Sequence, residues 1–177
     1  MLGMKMLALI VLMFLAAVTA EAQGLTSVYT KLSEKACKTL EVDEGEGALY
    51  RGSCPGVARY KLELIEGDLR QTLNIIGPKG EEHELRFWHL TGAFTYIGET
   101  AEWRMKGKKP IALIVRLNVS ENVEDASKTK GYLVVAKITN SEVCVTHFLA
   151  PTRSHNYEAR KAADKAATRP CLKPASE

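Results

Sequence analysis

The chain has 177 residues with 24 basic and 21 acidic side chains, a net charge of +3 at pH 7. Charges of both signs are interspersed, and the densest clusters are acidic EVDEGEG at 41–47 and basic RMKGKKP at 104–110. A nucleic-acid binder carries a sustained basic face with stacking aromatics, so no nucleic-acid partner is expected, and Lys106, Lys108 and Lys109 read as a solvated turn between strands.

Residues 1–22 read as a signal peptide: Lys5 gives a positive start, Met6 to Val18 an apolar run, and Ala20-Glu21-Ala22 an A-x-A cleavage site. The run falls short of the roughly 20 apolar residues of a membrane anchor, so no anchor is expected after cleavage. Lys5 and Glu21 leave with the leader and cancel, so the net charge is unchanged. Residues 23–171 are expected to form a single β-rich domain, and 172–177 a disordered tail.

Four cysteines in an exported domain imply two disulfides with three possible connectivities. Cys37–Cys54 with Cys144–Cys171 is favoured because each pair closes a modest loop, and each closure contributes roughly 3 kcal/mol. The first loop encloses a segment rich in glycine and acid that cannot hold itself by packing. The second joins a strand to the far end of a C-terminal helix.

RYKLELIE (59–66) alternates as a strand, GD turns the chain into LRQTLNII (69–76), and GPKG (77–80) turns it again. EHELRFWHL follows. Read as a strand over 84–90, it sets Leu85, Phe87 and His89 on one face and Arg86, Trp88 and Leu90 on the other. LTGAFTYIGET is expected to be an irregular or helical connection, with Phe94 and Tyr96 at the edge of a groove. In 101–106, Trp103 and Met105 oppose Glu102, Arg104 and Lys106, which makes Trp103 a core residue.

IALIVRLNV (111–119) points Ile111, Leu113, Val115, Leu117 and Val119 one way. A polar connection, SENVEDASKTK (120–130), leads to GYLVVAKIT (131–139), and NS leads to EVCVTHFL (142–149). Short turns between successive strands indicate an antiparallel meander centred on these last three strands. The period then changes. NYEARKAADKAAT (156–168) has Asn156 as expected N-cap, Glu158 in the first turn, and an alanine face at Ala159, Ala162, Ala163, Ala166 and Ala167. Pro170 marks the stop, and Cys171 fastens this end to Cys144.

The motifs of common enzymes are missing. His83 and His89 would lie about 20 Å apart at strand rise, too far for one metal, and no H-E-x-x-H or zinc-finger spacing occurs. DEGEG lacks the alternating oxygen ligands of a calcium loop. SKTK (127–130) matches S-x-x-K, but it sits in a polar loop and after the S-x-N of SEN rather than before it. No cofactor and no metal are expected.

TKGYLVVAKITNSEVC (129–144) resembles the C-terminal strand pair of the periplasmic lysozyme inhibitors of bacteria, in which a Lys-Gly precedes strands ending in a disulfide cysteine. The resemblance implies a small exported β-barrel that pushes loop residues into the cleft of a lysozyme-like enzyme, and it carries over to Thr129, Lys130 and Gly131. The family's tyrosine four residues before the threonine is Asp125 here, and its S-G-x-x-Y motif has no counterpart in SCPGVARY (53–60). The whole chain also resembles small exported proteobacterial proteins of unassigned function.

The expected fold is mainly β (α+β): an antiparallel curved sheet or partly open barrel with one C-terminal helix and two disulfides, Cys37, Cys54, Cys144 and Cys171. The expected function is non-catalytic, a periplasmic or secreted binding or inhibitor-type protein acting on an envelope protein or ligand. Ser127, Thr129, Lys130, Trp88 and Arg86 are its candidate contact residues, because polar loops on a rigid scaffold carry recognition. The alternative is an envelope hydrolase using carboxylates or His89 and His147.

Overall fold

The structure is a computed structural model that describes residues 24–33, 35–43, 45, 48–122 and 128–173. The leader read at 1–22 and the candidate Ser127 lie outside the described residues. Among those residues the fold is mainly β: a curved open sheet of ten strands, one α-helix and two disulfides. The strands are β1 (Leu25–Lys31), β2 (Lys38–Asp43), β3 (Leu49–Cys54), β4 (Lys61–Gly67), β5 (Arg70–Ile76), β6 (Glu82–Glu84), β7 (Thr95–Lys106), β8 (Lys109–Ser120), β9 (Thr129–Ile138) and β10 (Val143–Leu149). They are followed by the helix α1 (His155–Ala163) and a 3₁₀ turn at Ala166–Thr168.

Neighbouring strands run β10-β9-β8-β7-β5-β4-β3-β2, while β6 adds to β5 and β1 adds to β7. The meander is antiparallel except at one point. β5 and β7 meet through a single parallel bridge, Arg70 to Thr95, and β1 takes the rest of that edge of β7 from Thr100 to Lys106. The sheet therefore splits between β5 and β1, and it curls so that its two halves face each other. Leu62, Leu64, Leu73 and Ile75 from β4 and β5 share one core with Trp103, Met105, Leu113, Val115, Leu117 and Val134 from β7–β9.

The other face of β8 and β9 is covered by α1. Ala159, Ala163 and Ala166 lie on Ala112, Ile114, Leu133 and Val135, and small side chains on both surfaces allow the close approach. Polar ties flank this contact. Arg104, 7% exposed on the outer face of β7, donates to Asp164 at 2.8 Å and to Ser27 at 2.7 Å, and Arg160 donates to Glu102 at 2.6 Å. Arg104 and Arg160 thus each have a partner of opposite sign, which offsets the cost of burying them.

Both disulfides join the expected pairs, Cys37–Cys54 and Cys144–Cys171. Several local expectations are corrected. The strand assigned to 84–90 ends at Glu84, and Phe87–His89 form a 3₁₀ turn entered through Arg86 at φ 47°. The turn still buries Phe87, whose N–H donates to the Thr72 hydroxyl at 3.0 Å, and leaves Trp88 44% exposed. The connection assigned to 90–100 becomes strand from Thr95, because β8 runs long enough to pair with it as far as Val119. Ile111 is set off the core face by a register shift: Arg104 pairs with Ala112 and Met105 with Pro110, so Ile111 is skipped. The helix is capped at Ser154 rather than Asn156, and it breaks at Asp164 before the 3₁₀ turn. Ser154 and Thr152 donate to Glu158 in the first turn. Leu172, assigned to the tail, donates its N–H to Val145 at 2.8 Å.

Candidate functional site

The split between β5 and β7 opens at one end of the molecule, where the β4–β5 turn meets the start of β7. Gly67-Asp68-Leu69-Arg70 is a two-residue hairpin turn, Gly67 pairing with Arg70, with Asp68 at φ 50° and Leu69 at φ 57°. Such turns match the twist of the strands but need two left-handed residues, normally Asn-Gly or Asp-Gly. A leucine in that region costs about 1 kcal/mol relative to glycine. One tertiary contact uses this conformation: the Leu69 carbonyl accepts the Thr95 N–H at 3.1 Å. The side chain gains little burial in return, being 62% exposed.

Leu69 stands beside Phe94 and Tyr96 around a depression of about 190 Å³, with Ser120 and Thr129 on its far wall. Arg70 fixes this cluster. Its Nε and Nη2 donate to the Gly92 carbonyl at 3.3 and 3.1 Å, and its guanidinium lies 5.4 Å from the Phe94 ring centre. The Tyr96 hydroxyl reaches Thr129 Oγ1 at 3.4 Å, and Tyr96 is half exposed. Tyr96 and Phe94 therefore do edge a groove, Tyr96 from the start of β7 and Phe94 from the connection just before it.

Behind the apolar tip the split continues as a polar cleft of about 580 Å³ lined by Lys35, Tyr50, Glu66, Gln71 and Glu99 among others. Gln71 replaces the missing ladder between β5 and β7: its Oε1 accepts the Ile97 N–H at 2.7 Å and its Nε2 donates to Glu66 at 2.6 Å. A side chain spanning the gap holds the two halves at a set distance while leaving the cleft open. Recognition surfaces are commonly such loops and turns held by a rigid scaffold.

Of the residues singled out in the sequence, Thr129 stands at this tip. Lys130 lies on the opposite face of β9, its Nζ 5.8 Å from the Tyr132 ring centre and 3.8 Å from Glu121. Arg86 and Trp88 belong to the 3₁₀ turn, where Arg86 pairs with Glu84 at 2.7 Å and Trp88 meets the His89 ring edge-on at 6.1 Å. That turn borders a different hollow, beside Cys144 and Leu172. Leu69 was not singled out. Its signal is present in GDLR: a two-residue turn between two alternating strands with leucine where glycine is expected.

No hydrogen bond or ring contact joins His89 to His147. His89 lines the hollow beside Cys144, while His147 bonds through Nδ1 to the Thr146 hydroxyl at 3.0 Å and has Arg169 as its charged neighbour. Among the described residues one trio holds ligand-type atoms within 4.8 Å of one another, Glu142 with Cys144 and Cys171, and both sulfurs are spent in the disulfide. Burial, and then the charge of Arg169, lower the His147 pKa below its usual value. The unfolded chain thus takes up this proton first as pH falls, so stability present above about pH 6.5 is lost progressively as pH falls from there through the lower pKa of the folded state. Urea denaturation at pH 8 and pH 5 should show a smaller acid loss in His147→Asn than in the parent; an equal loss would assign it to other groups.

No protein-family model matches the chain, and no curated protein or solved structure matches it either.

Proposed function

We propose that this is a non-catalytic binding protein of the inhibitor type, exported to the periplasm, that holds an envelope protein through the tip formed by Leu69, Phe94 and Tyr96. Two disulfides call for an oxidising compartment, and the leader read at 1–22 would take the chain there. The observation that carries the reading is Leu69: a large apolar side chain kept mostly in water, at a backbone position where glycine would be less strained. Stability alone favours its removal, and local strain that persists without a packing reward points to a function. Phe94 and Tyr96 add the aromatic area on which interface energy concentrates. The resemblance of 129–144 to lysozyme inhibitors makes a lysozyme-like enzyme the first partner to test.

The test is Leu69→Gly. The variant should melt no earlier than the parent, because the turn loses a strained residue. Its binding should weaken by roughly 2 kcal/mol, about thirtyfold, as for an interface anchor. Calorimetry against a lysozyme, with inhibition of cell-wall hydrolysis as second readout, measures this directly. If lysozyme does not bind, the partner captured from envelope extract by the oxidised protein takes its place. Unchanged affinity in Leu69→Gly would remove the tip from the interface and return attention to the Trp88 and Arg86 turn.

A further inference from the structure

A second groove lies on the opposite side of β7, between α1 and the outer face of the sheet, with a volume of about 380 Å³. Most charges around it are matched. Arg160 is held by Glu102, which also accepts from Ser27, and Arg104 is held by Asp164. Arg116 is different. It lines the groove from β8, half-buried, and among the described residues no carboxylate oxygen lies within 4.0 Å of it. Its hydrogen bond to the Gly131 carbonyl is long, at 3.4 Å. Glu99, exposed on the rim, also stays out of ion-pair range.

The backbone around Arg116 is cleared on both sides. A Cβ on Gly98 of β7 would come within 3.1 Å of the Arg116 Cβ, and one on Gly131 of β9 within 2.8 Å of its Nη1. The β7 ladder slips at the same place: Ile97 pairs with Leu117 and Ala101 with Val115, so residues 98–100 bulge opposite Arg116 alone. Glycine inside a strand weakens it and commonly marks close approach of a ligand or backbone, and bulges gather beside binding sites. A solvated surface arginine needs neither. Here two glycines from two strands and a bulge converge on one guanidinium in a concave, partly apolar recess floored by Ile114, Leu133 and Ala159.

We propose that this groove binds a small organic anion, with its carboxylate or phosphate group held by Arg116. A planar guanidinium offers paired donors to two oxygens of either group, and the apolar floor accepts the rest of the molecule. Tyr29 and Asn156 stand on the same walls and supply polar atoms of both kinds. This site is separate from the Leu69 tip, and its fate does not depend on the function proposed for that tip.

The experiment is an NMR titration of the ¹⁵N-labelled, oxidised protein with sodium acetate and, separately, sodium phosphate, each against sodium chloride at equal ionic strength. Saturable shifts are expected at the amides of Gly98, Gly131 and Asn156, and whichever anion saturates at lower concentration identifies the group. R116Q should weaken that binding at least tenfold, with R116K falling between it and the parent, because lysine keeps the charge but loses the paired donors. The dispersion of the R116Q spectrum reports whether it folds, and R116K carries the test if it does not. Shifts that rise linearly and equally with chloride would overturn the proposal. So would saturable binding that is unchanged in both variants.

Discussion

Trp103→Ala is expected to destabilise the fold by about 3–5 kcal/mol, the range for truncating a large aromatic in a packed core. Trp103 is fully buried, and it sits in register between Val28 of β1 and Leu113 of β8. Its ring centre lies 6.3 Å from that of Tyr60, which connects it to the half of the sheet beyond the split. Its indole N–H donates to the Thr30 hydroxyl at 2.9 Å, so alanine opens a cavity and also removes one side-chain tie to β1. Trp103→Phe should lose less, because most of the volume remains and the lost hydrogen bond accounts for about 1 kcal/mol. Trp88→Ala is the matched control: an exposed tryptophan on a 3₁₀ turn should change stability by no more than about 0.5 kcal/mol. Urea midpoints of the three variants give the comparison. A Trp103→Ala midpoint as close to the parent as that of Trp88→Ala would mean that the two halves of the sheet do not share a core.

The two tryptophans also mark where the sequence was legible and where it was not. Parity in 101–106 puts Trp103 inward because a long partner strand on each side keeps that segment extended. The same parity argument fails at 84–90. It predicts Phe87 and Trp88 on opposite faces, which is the outcome, but by a strand that does not form. Arg86 enters the left-handed region and the chain coils into a single 3₁₀ turn, which a hydrophobic pattern of three residues cannot distinguish from extended structure.

β8 shows the limit more narrowly. Alternation holds from Leu113 to Val119, and one skipped residue is enough to set Ile111 off the core face while Pro110 is buried. A bulge is a relation between two strands and leaves no trace in either one alone. The N-terminal strands were unread for another reason. The apolar period of β2 is only two residues long, Leu40 and Val42, and both stay exposed; the hairpin it forms with β3 is closed by pairing and by Cys37–Cys54. At the candidate site, Thr129 was named from its place in the polar connection 120–130 and from the resemblance of 129–144. Leu69 and Arg116 were not, since what distinguishes them is the turn geometry of one and the glycines flanking the other across the sheet.

Removing the second disulfide, with Cys144→Ser and Cys171→Ser together, should lower stability by roughly 3–4 kcal/mol for a loop of this length, the sequence separation being 27. The place where the structure loosens is the sharper expectation. The sequence makes the disulfide the anchor of the whole C-terminal helix. In the fold α1 has its own hold on the sheet, through Ala159 and Ala163 on the β8–β9 surface and through the Arg160–Glu102 pair. The Arg104–Asp164 pair secures its end. The segment beyond has less: the 3₁₀ turn with buried Ala166, the Lys137 ammonium on the Arg169 carbonyl at 2.9 Å, and the Leu172 N–H on Val145 at 2.8 Å. Those contacts keep Cys171 against β10, and the disulfide keeps those contacts. Native-state hydrogen exchange on the serine variant should therefore show local opening at the amides of Arg169 and Leu172, while the amides of α1 that exchange through global unfolding follow the reduced overall stability. Equal local opening across 157–163 would show that the alanine face and the two ion pairs are not enough, and that the cross-link holds the helix itself.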